Sequence, residues 1–571
     1  MSARSGPLPG LPSPPSPPWQ ERLLLGLTLA AVYFFCAEPL WDPDTYWHLA
    51  VGREIWTSGH LVHTETFSFT APGTPWEDTE WLFHLLAYPL WLLGGDGLLQ
   101  ALTGLAAAAV AYLAYRGFRV AGRGAFLWVP FLLLLLPSLQ TRIRFRPDLL
   151  TLLFMGVLAE FLLREERGEP PGWRKGLGLA AFFWLWGQCH GGWAYGLFLL
   201  AAAWGGDLLD TWRGGPFPAG LLARRLAAGL AAFAALFLSP DTWRIPWFPF
   251  KSVAGFLDPQ LVQIAEWSRT PLKPVFWPFF GLAVLVLALL LAQGRRMAFK
   301  ELFWAASQVA LGWTWNRYVA VAVVALLPLA ALRLPGLRLP GPALRFGRGG
   351  VLAAALLAAA WGYHTKIPGW DLSPKYPVQE VAFLKERGLG GNLFNLYAAG
   401  GYLAWETWPE SRIFMDGRYY PFLKPLGDFW KGMKDVPAFH RLLESYPFEI
   451  ALYPLSGYRL RDRQGVPGSP ERGPEVLLFP RSQWAPVFYG NYGVVLLKRI
   501  PRFEKVIAAE EYRRVSPDDL AYAVWACRKG LWPAPEVRAE MLRILASNPR
   551  LVYREALLRA LAALPSGGGE P

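Results

Sequence analysis

Eleven apolar runs, separated by short polar segments, constrain the fold of this chain more than any motif in it. On a window of about 19 residues they fall near 23–40, 97–115, 124–138, 148–163, 177–189, 193–210, 226–239, 275–292, 300–314, 318–333 and 350–363. In a bilayer such a run satisfies its own backbone polar groups as a helix. The expected fold is therefore an α-helical polytopic membrane protein of about eleven spans. Hydrophobic residues make up 53% of the 571 and charged residues only 17%, which argues against one soluble core.

The formal net charge of +13 follows the same pattern. A nucleic-acid binder gathers its basic residues on one soluble face; here most sit in loops between apolar runs, where they encode orientation. With a cytoplasmic N-terminus the inner loops carry Arg116, Arg119 and Arg123, then Arg164, Arg167, Arg174 and Lys175, then Arg213, Arg224 and Arg225, then Arg295, Arg296 and Lys300, then Arg333, Arg338, Arg345 and Arg348. The first outer loop, 41–80, holds one Arg and no Lys. Two outer stretches break the rule: Arg142-Ile143-Arg144-Phe145-Arg146, and the loop with Arg244, Lys251, Arg269 and Lys273. Basic residues on that side need another reason to be there.

Cys36, Cys189 and Cys527 are odd in number and without metal-ligand spacing, so they support neither a disulfide framework nor a zinc ribbon. The Pro- and Ser-rich residues 1–22 read as a disordered cytoplasmic tail before a retained first span. After the last run the composition turns soluble. Residues 364–502 read as an extracytoplasmic α/β domain, with a helix over Val378–Arg387 and short strands at 393–396, 413–415 and 450–453; 503–571 read as a helical C-terminal tail of roughly three helices.

The chemistry concentrates in the first outer loop. Asp44 sits where a helix should begin, and His48 lies four residues on; Asp78 or Thr79 can cap the next helix, where Glu80 and His84 are again four apart. Two readings fit each pair: helix caps beside interfacial histidines, or carboxylate–histidine chemistry. Asp44, His48, Glu80 and His84 also offer a mixed oxygen and nitrogen donor set for a divalent cation, although nothing in the spacing forces the two helices together.

The run Asp42-Pro43-Asp44-Thr45-Tyr46-Trp47-His48-Leu49-Ala50-Val51-Gly52-Arg53, with Thr66–Thr70, Pro75-Trp76 and Glu80-Trp81-Leu82, resembles the first outer loop of bacterial multi-span proteins of the GT-C glycosyltransferase superfamily. Broader relatives are protein O-mannosyltransferases, aminoarabinose transferases and oligosaccharyltransferase catalytic subunits. Arg146-Pro147-Asp148, His190-Gly191-Gly192, Gly400–Leu403 and Met415–Arg418 extend the resemblance over the membrane part and about the first hundred soluble residues.

The resemblance implies transfer of a sugar from a polyprenyl-phosphate carrier to a lipid, protein or glycan acceptor at the outer face of a bacterial cell membrane. It also implies an acidic residue of the first loop as base. A lipid phosphate is a good leaving group, so one carboxylate to accept the acceptor's proton and cations to hold the phosphate would suffice. Asp44 is the expected base, Asp42 the alternative, and Glu80 a further catalytic candidate with His48 and His84 in support. Arg144, Arg146 and Arg317 suit the phosphate, because a guanidinium stays charged and donates paired hydrogen bonds; snorkelling to lipid headgroups is the competing reading. His190, beside two glycines that permit close backbone approach, is the remaining donor contact. Asp416-Gly417-Arg418 reads as a structural turn. A non-catalytic envelope scaffold is the alternative function; a transporter fits less well, because few ionisable residues fall at the centres of the runs.

Overall fold

The computed structural model describes residues 18–165, 168–255, 268–334, 350–351, 353–354, 357, 375–418, 420–462 and 465–565. The first part is a series of helices: α1 (Trp19–Cys36), α2 (Thr45–Ser58), α3 (Trp81–Val120), α4 (Ala125–Gln140), α5 (Asp148–Arg164), α6 (Trp173–Cys189), α7 (Trp193–Arg213), α8 (Ala219–Ala235), α9 (Arg244–Gly255), α10 (Trp277–Leu291), α11 (Phe299–Thr314) and α12 (Val319–Arg333). Ten of the eleven apolar runs coincide largely with a helix; the last, 350–363, and the boundary at 364 fall mostly outside the described residues. Among the described residues three helical segments are long and apolar enough to cross a membrane: Trp81–Val120, Pro274–Leu291 and Asn316–Arg333. This is a membrane protein; the count of eleven spans goes beyond those three.

The chain divides into two compact units. One comprises Met1–Asp42, Ile55–Leu61 and Glu77–Trp370, the other Pro43–Glu54, Val62–Trp76 and Asp371–Pro571. The first outer loop is thus shared out, and much of it belongs to the same unit as the C-terminal residues.

In the helical unit α12 is buried from Val319 to Ala331, while α3, α4, α5, α10 and α11 pack around it. Its Val- and Ala-rich sequence presents small apolar groups on every side, which suits a helix surrounded by others. Buried acids anchor several helix ends. Glu21 accepts the backbone N–H of Ala125 at the start of α4, and Glu160 pairs with Arg116 at 2.7 Å and Arg164 at 2.8 Å. Some of the basic residues that read as orientation signals are therefore also helix-end ion pairs. In α3 the helix is interrupted at Gly94 and Gly95, and Gly95 takes a left-handed φ of 58°.

The second unit holds a five-stranded sheet in the order β2-β1-β3-β5-β4, with β1 (Gly391–Phe394), β2 (Ser411–Arg412), β3 (Ile450–Pro454), β4 (Trp484–Tyr489) and β5 (Gly493–Lys498). β1 runs parallel to β2 and β3, and the β3-β5-β4 portion is antiparallel. The expected strands at 393–396 and 450–453 fall on β1 and β3. The expected strand at 413–415 is displaced, because β2 ends at Arg412 and Ile413 instead bridges Ser68 of the first loop. β4, β5 and the helices Tyr397–Thr407, Leu423–Gly432 and Val436–Ser445 were not anticipated. Among the described residues the α-helices after 503 number four, at 504–510, 520–528, 534–547 and 554–563, and Val537, Met541, Ile544 and Leu557 share one core with Phe394, Phe414 and Trp484 of the sheet region.

Candidate active site

In the helical unit the Arg142–Arg146 turn between α4 and α5, the end of α6 and the start of α12 converge on one carboxylate. Asp148 opens α5, where the positive end of the helix dipole favours a negative charge. Arg142 Nη1 lies 3.1 Å from Asp148 Oδ2, Arg146 Nε 3.5 Å from the same oxygen and Arg317 Nη2 3.9 Å from Oδ1. His190 Nε2 is 2.8 Å from Oδ1. Arg142, Asp148, Thr151, His190, Tyr195, Arg317 and Tyr318 line one recess, and the Tyr195 and Tyr318 hydroxyls are hydrogen-bonded to each other.

The backbone after α6 fixes the His190 tautomer. The Gly192 N–H donates to Nδ1 at 3.0 Å, so Nδ1 accepts, and the neutral ring carries its proton on Nε2, aimed at Asp148. Thr151 Oγ1, which itself accepts from Trp186 Nε1, sits 2.7 Å from the same Nδ1. Only glycine fits at 192, because a Cβ there would lie 2.2 Å from Thr151 Oγ1 and 2.7 Å from His190 Nδ1.

The other candidates in this unit lie around that group. Arg146 Nη1 is 3.4 Å from Asp42 Oδ2. Arg144 donates to the carbonyls of Gln140 and Ile143 and lies 3.7 Å from Glu38, so Arg142 rather than Arg144 faces the recess. Glu80 Oε1 is 3.5 Å from His190 Nε2. Burial pushes the Glu80 carboxyl up to about 7, with the Asp148 and Asp78 charges adding to the rise and His190 opposing it. His84 is buried and takes Asp78 as its partner, Nδ1 to Oδ2 at 2.8 Å, while Asp78 Oδ1 accepts the Glu80 N–H. A carboxylate on one ring nitrogen orients the other as a ligand, and donor atoms of Glu80 and His84 lie within 4.8 Å of each other. The pair offers one oxygen and one nitrogen donor to a divalent cation.

Asp44 and His48 belong to the second unit. Asp44 Oδ1 accepts from Trp47 Nε1 at 3.0 Å, and His48 is buried with its ring 3.7 Å from that of Trp47. The helix starts at Thr45, as its cap position at Asp44 required. The sequence motifs of this unit meet here: a Cβ on Gly417 would lie 2.1 Å from Asp44 Oδ1, and one on Gly401 2.7 Å from the Pro43 carbonyl oxygen. Asp416-Gly417-Arg418 is a turn whose arginine is fully buried, held by Asp416 Oδ2 at 2.6 Å and Glu65 Oε2 at 2.7 Å, with Phe67, Trp76 and Phe422 around its guanidinium.

Arg142, Asp148, Thr151, Tyr195 and Tyr318 were not singled out for this recess. Arg142 and Asp148 bracket the recognised arginines in the run 142–148; the two tyrosines carry no local signal, because only packing of α7 against the start of α12 joins them.

No protein-family model matches the sequence, and no curated protein matches it. Solved structures do. An archaeal oligosaccharyltransferase, AglB from Archaeoglobus fulgidus in complex with an inhibitory peptide and a dolichol-phosphate, aligns over 96% of this chain and 88% of its own, with a TM-score of 0.52 and 11% identity. Two other structures of the Archaeoglobus fulgidus enzyme align less closely. One, tethered with an acceptor peptide containing the NVT sequon, gives 0.49 at 12% identity over 83% and 74% of the two chains; one with zinc and sulfate gives 0.46 at 11% over 95% and 84%. The first of these comparisons carries the conclusion: the chain shares the overall fold of that structure.

Proposed function

We propose that this protein is a membrane glycosyltransferase that moves a sugar from a polyprenyl-phosphate-linked donor to an envelope acceptor at the outer face of a cell membrane. The observation that carries the reading is the convergence of Arg142, Arg146, Arg317 and His190 on one carboxylate, Asp148, beside a recess lined by Arg142, Arg317 and His190. Arg142, Arg146 and Arg317 all lie within 3.9 Å of Asp148, which places their guanidiniums close enough together to share an incoming phosphate. The fold is shared with a protein whose structure contains a dolichol-phosphate, which supports the same class of donor here.

In this mechanism the anomeric C–O bond to the lipid phosphate breaks, and the phosphate departs as an anion stabilised by the arginines. The acceptor atom bonds to the sugar carbon, and its proton passes to Asp44. Asp42, which faces Arg146, is the alternative base. Glu80 and His84 are the residues that would hold a divalent cation, which would supply added positive charge near the phosphate.

The scaffold reading has one observation in its favour: residues 62–76 of the first loop are built into the sheet unit, as the Ser68–Ile413 bridge shows. A transfer assay separates the two. Purified full-length protein given a radiolabelled polyprenyl-phosphate sugar and envelope acceptors should transfer label, and Asp44→Asn should reduce the rate by roughly 100-fold or more with normal insertion and thermal stability. Native-rate transfer by Asp44→Asn with loss in Asp42→Asn would move the base to Asp42; no transfer by the unmodified protein would favour the scaffold.

A further inference from the structure

The second basic outer stretch takes no part in the recess chemistry, and α9, which carries half of it, has two unlike faces. Its inner face seats in a groove of small residues at the end of α6. Ile245 approaches the Cβ position of Gly187 to 3.7 Å and Phe248 that of Gly191 to 3.4 Å, on either side of His190. Lys251 Nζ reaches Glu77 Oε2 at 3.2 Å. The opposite face carries Trp247 and Phe250, with Trp243 just before the helix, at helical spacing; all three are more than half exposed.

The twelve described residues of helix reach about 18 Å, well short of the ~30 Å hydrocarbon layer. Pro246 and Pro249 also suit a short surface helix better than a span. The exposed stripe is rich in Trp, the residue type that collects where headgroups meet acyl chains, and Arg244 and Lys251 keep their charged ends partly open to solvent beside it. Between α8 and α10 in the chain, the stripe continues from Phe237 and Leu238, which are themselves exposed. We propose that α9 lies in the plane of the membrane surface with Trp243, Trp247 and Phe250 seated among the upper acyl chains of bilayer lipids. The partner is the lipid surface, and α9 is the wall that separates it from the His190 end of α6.

Nitroxide side chains on Trp247→Cys and, separately, Phe250→Cys test this in full-length protein reconstituted into phosphatidylethanolamine–phosphatidylglycerol nanodiscs. The native cysteines among the described residues are buried, and unsubstituted protein gives the background. Both labels should collide with oxygen several-fold more often than with a water-soluble nickel chelate, whereas a label on Tyr458→Cys, 76% exposed in the other unit, should show the reverse. Chelate collisions at 247 and 250 equal to those at 458 would overturn the proposal, as would dipolar broadening between labels, which would mean that a second copy covers the stripe.

Discussion

The molecule contains two arginine–carboxylate groups built to opposite ends. In the sheet unit Arg418 is sealed: its side chain is wholly buried, as are Glu65 and Asp416, and three aromatic rings close around it. In the helical unit Arg142, Arg146 and Arg317 share one hub, Asp148, over distances from 3.1 to 3.9 Å, and Arg142 and Arg317 line a recess beside it. The first arrangement is closed off by burial and leaves no approach for a ligand; the second spaces its cations around a carboxylate beside a recess, where a phosphate can join them. The same residue types thus lock a loop in one place and form a candidate binding site in the other. Burial and reach make the difference.

The comparison breaks most sharply at Arg418. Arg418→Met leaves Glu65 and Asp416 buried without their counter-charge, and burial already raises the Glu65 carboxyl. A loss of about 3–5 kcal/mol is expected, read as a large drop in melting temperature and release of residues 62–76 to protease. A variant as stable as the native chain would show that the sealed group is not a lock.

A smaller effect is expected at the turn that shapes the recess. Gly192→Ala forces a methyl against Thr151 and His190 and should cost about 1–3 kcal/mol of stability. Donor binding should fall further than that loss accounts for, because His190 is displaced. Unchanged donor affinity would separate the histidine from the phosphate.

The smallest substitution effect is expected at Glu380, buried in the sheet unit, where it accepts the Gly493 N–H at 2.8 Å. Burial pushes its carboxyl up to about 7, above an unfolded value near 4.5, so the folded chain holds this proton more tightly than the unfolded one. Stability should therefore be higher near pH 5 and fall as pH rises from 4.5 through 7, by up to about 3 kcal/mol from this group. Glu380→Gln should flatten that slope and raise stability at pH 8 by on the order of 1 kcal/mol, since the new amide N–H2 must itself find a partner. An unchanged slope in a thermal melt at pH 5.5 and 8 would contradict the assignment.

Much of the helical unit was legible because membrane helices announce themselves through composition, and Arg146, Arg317 and His190 were legible because they stand out of place in it. Arg142 was harder to place, since only the turn after α4 decides which of two neighbouring arginines faces the recess. The hub role of Asp148 depends on three chain segments meeting, and no local pattern encodes that. In the second unit β4 and β5 carry the continuous apolar character of buried strands, which periodicity alone does not separate from other buried segments. The bond of the first loop to the sheet, Ser68 to Ile413, joins residues far apart in sequence and leaves no signal in either.

The most direct test is equilibrium binding of a polyprenyl phosphate to the purified full-length protein and to Arg142→Ala, Arg146→Ala and Arg317→Ala, with melting temperatures measured alongside. Each substitution should weaken binding by about 1.5–3 kcal/mol, with Lys restoring it only in part, while stability falls far less than in Arg418→Met. Unchanged affinity in all three would contradict the account and return these arginines to a structural role.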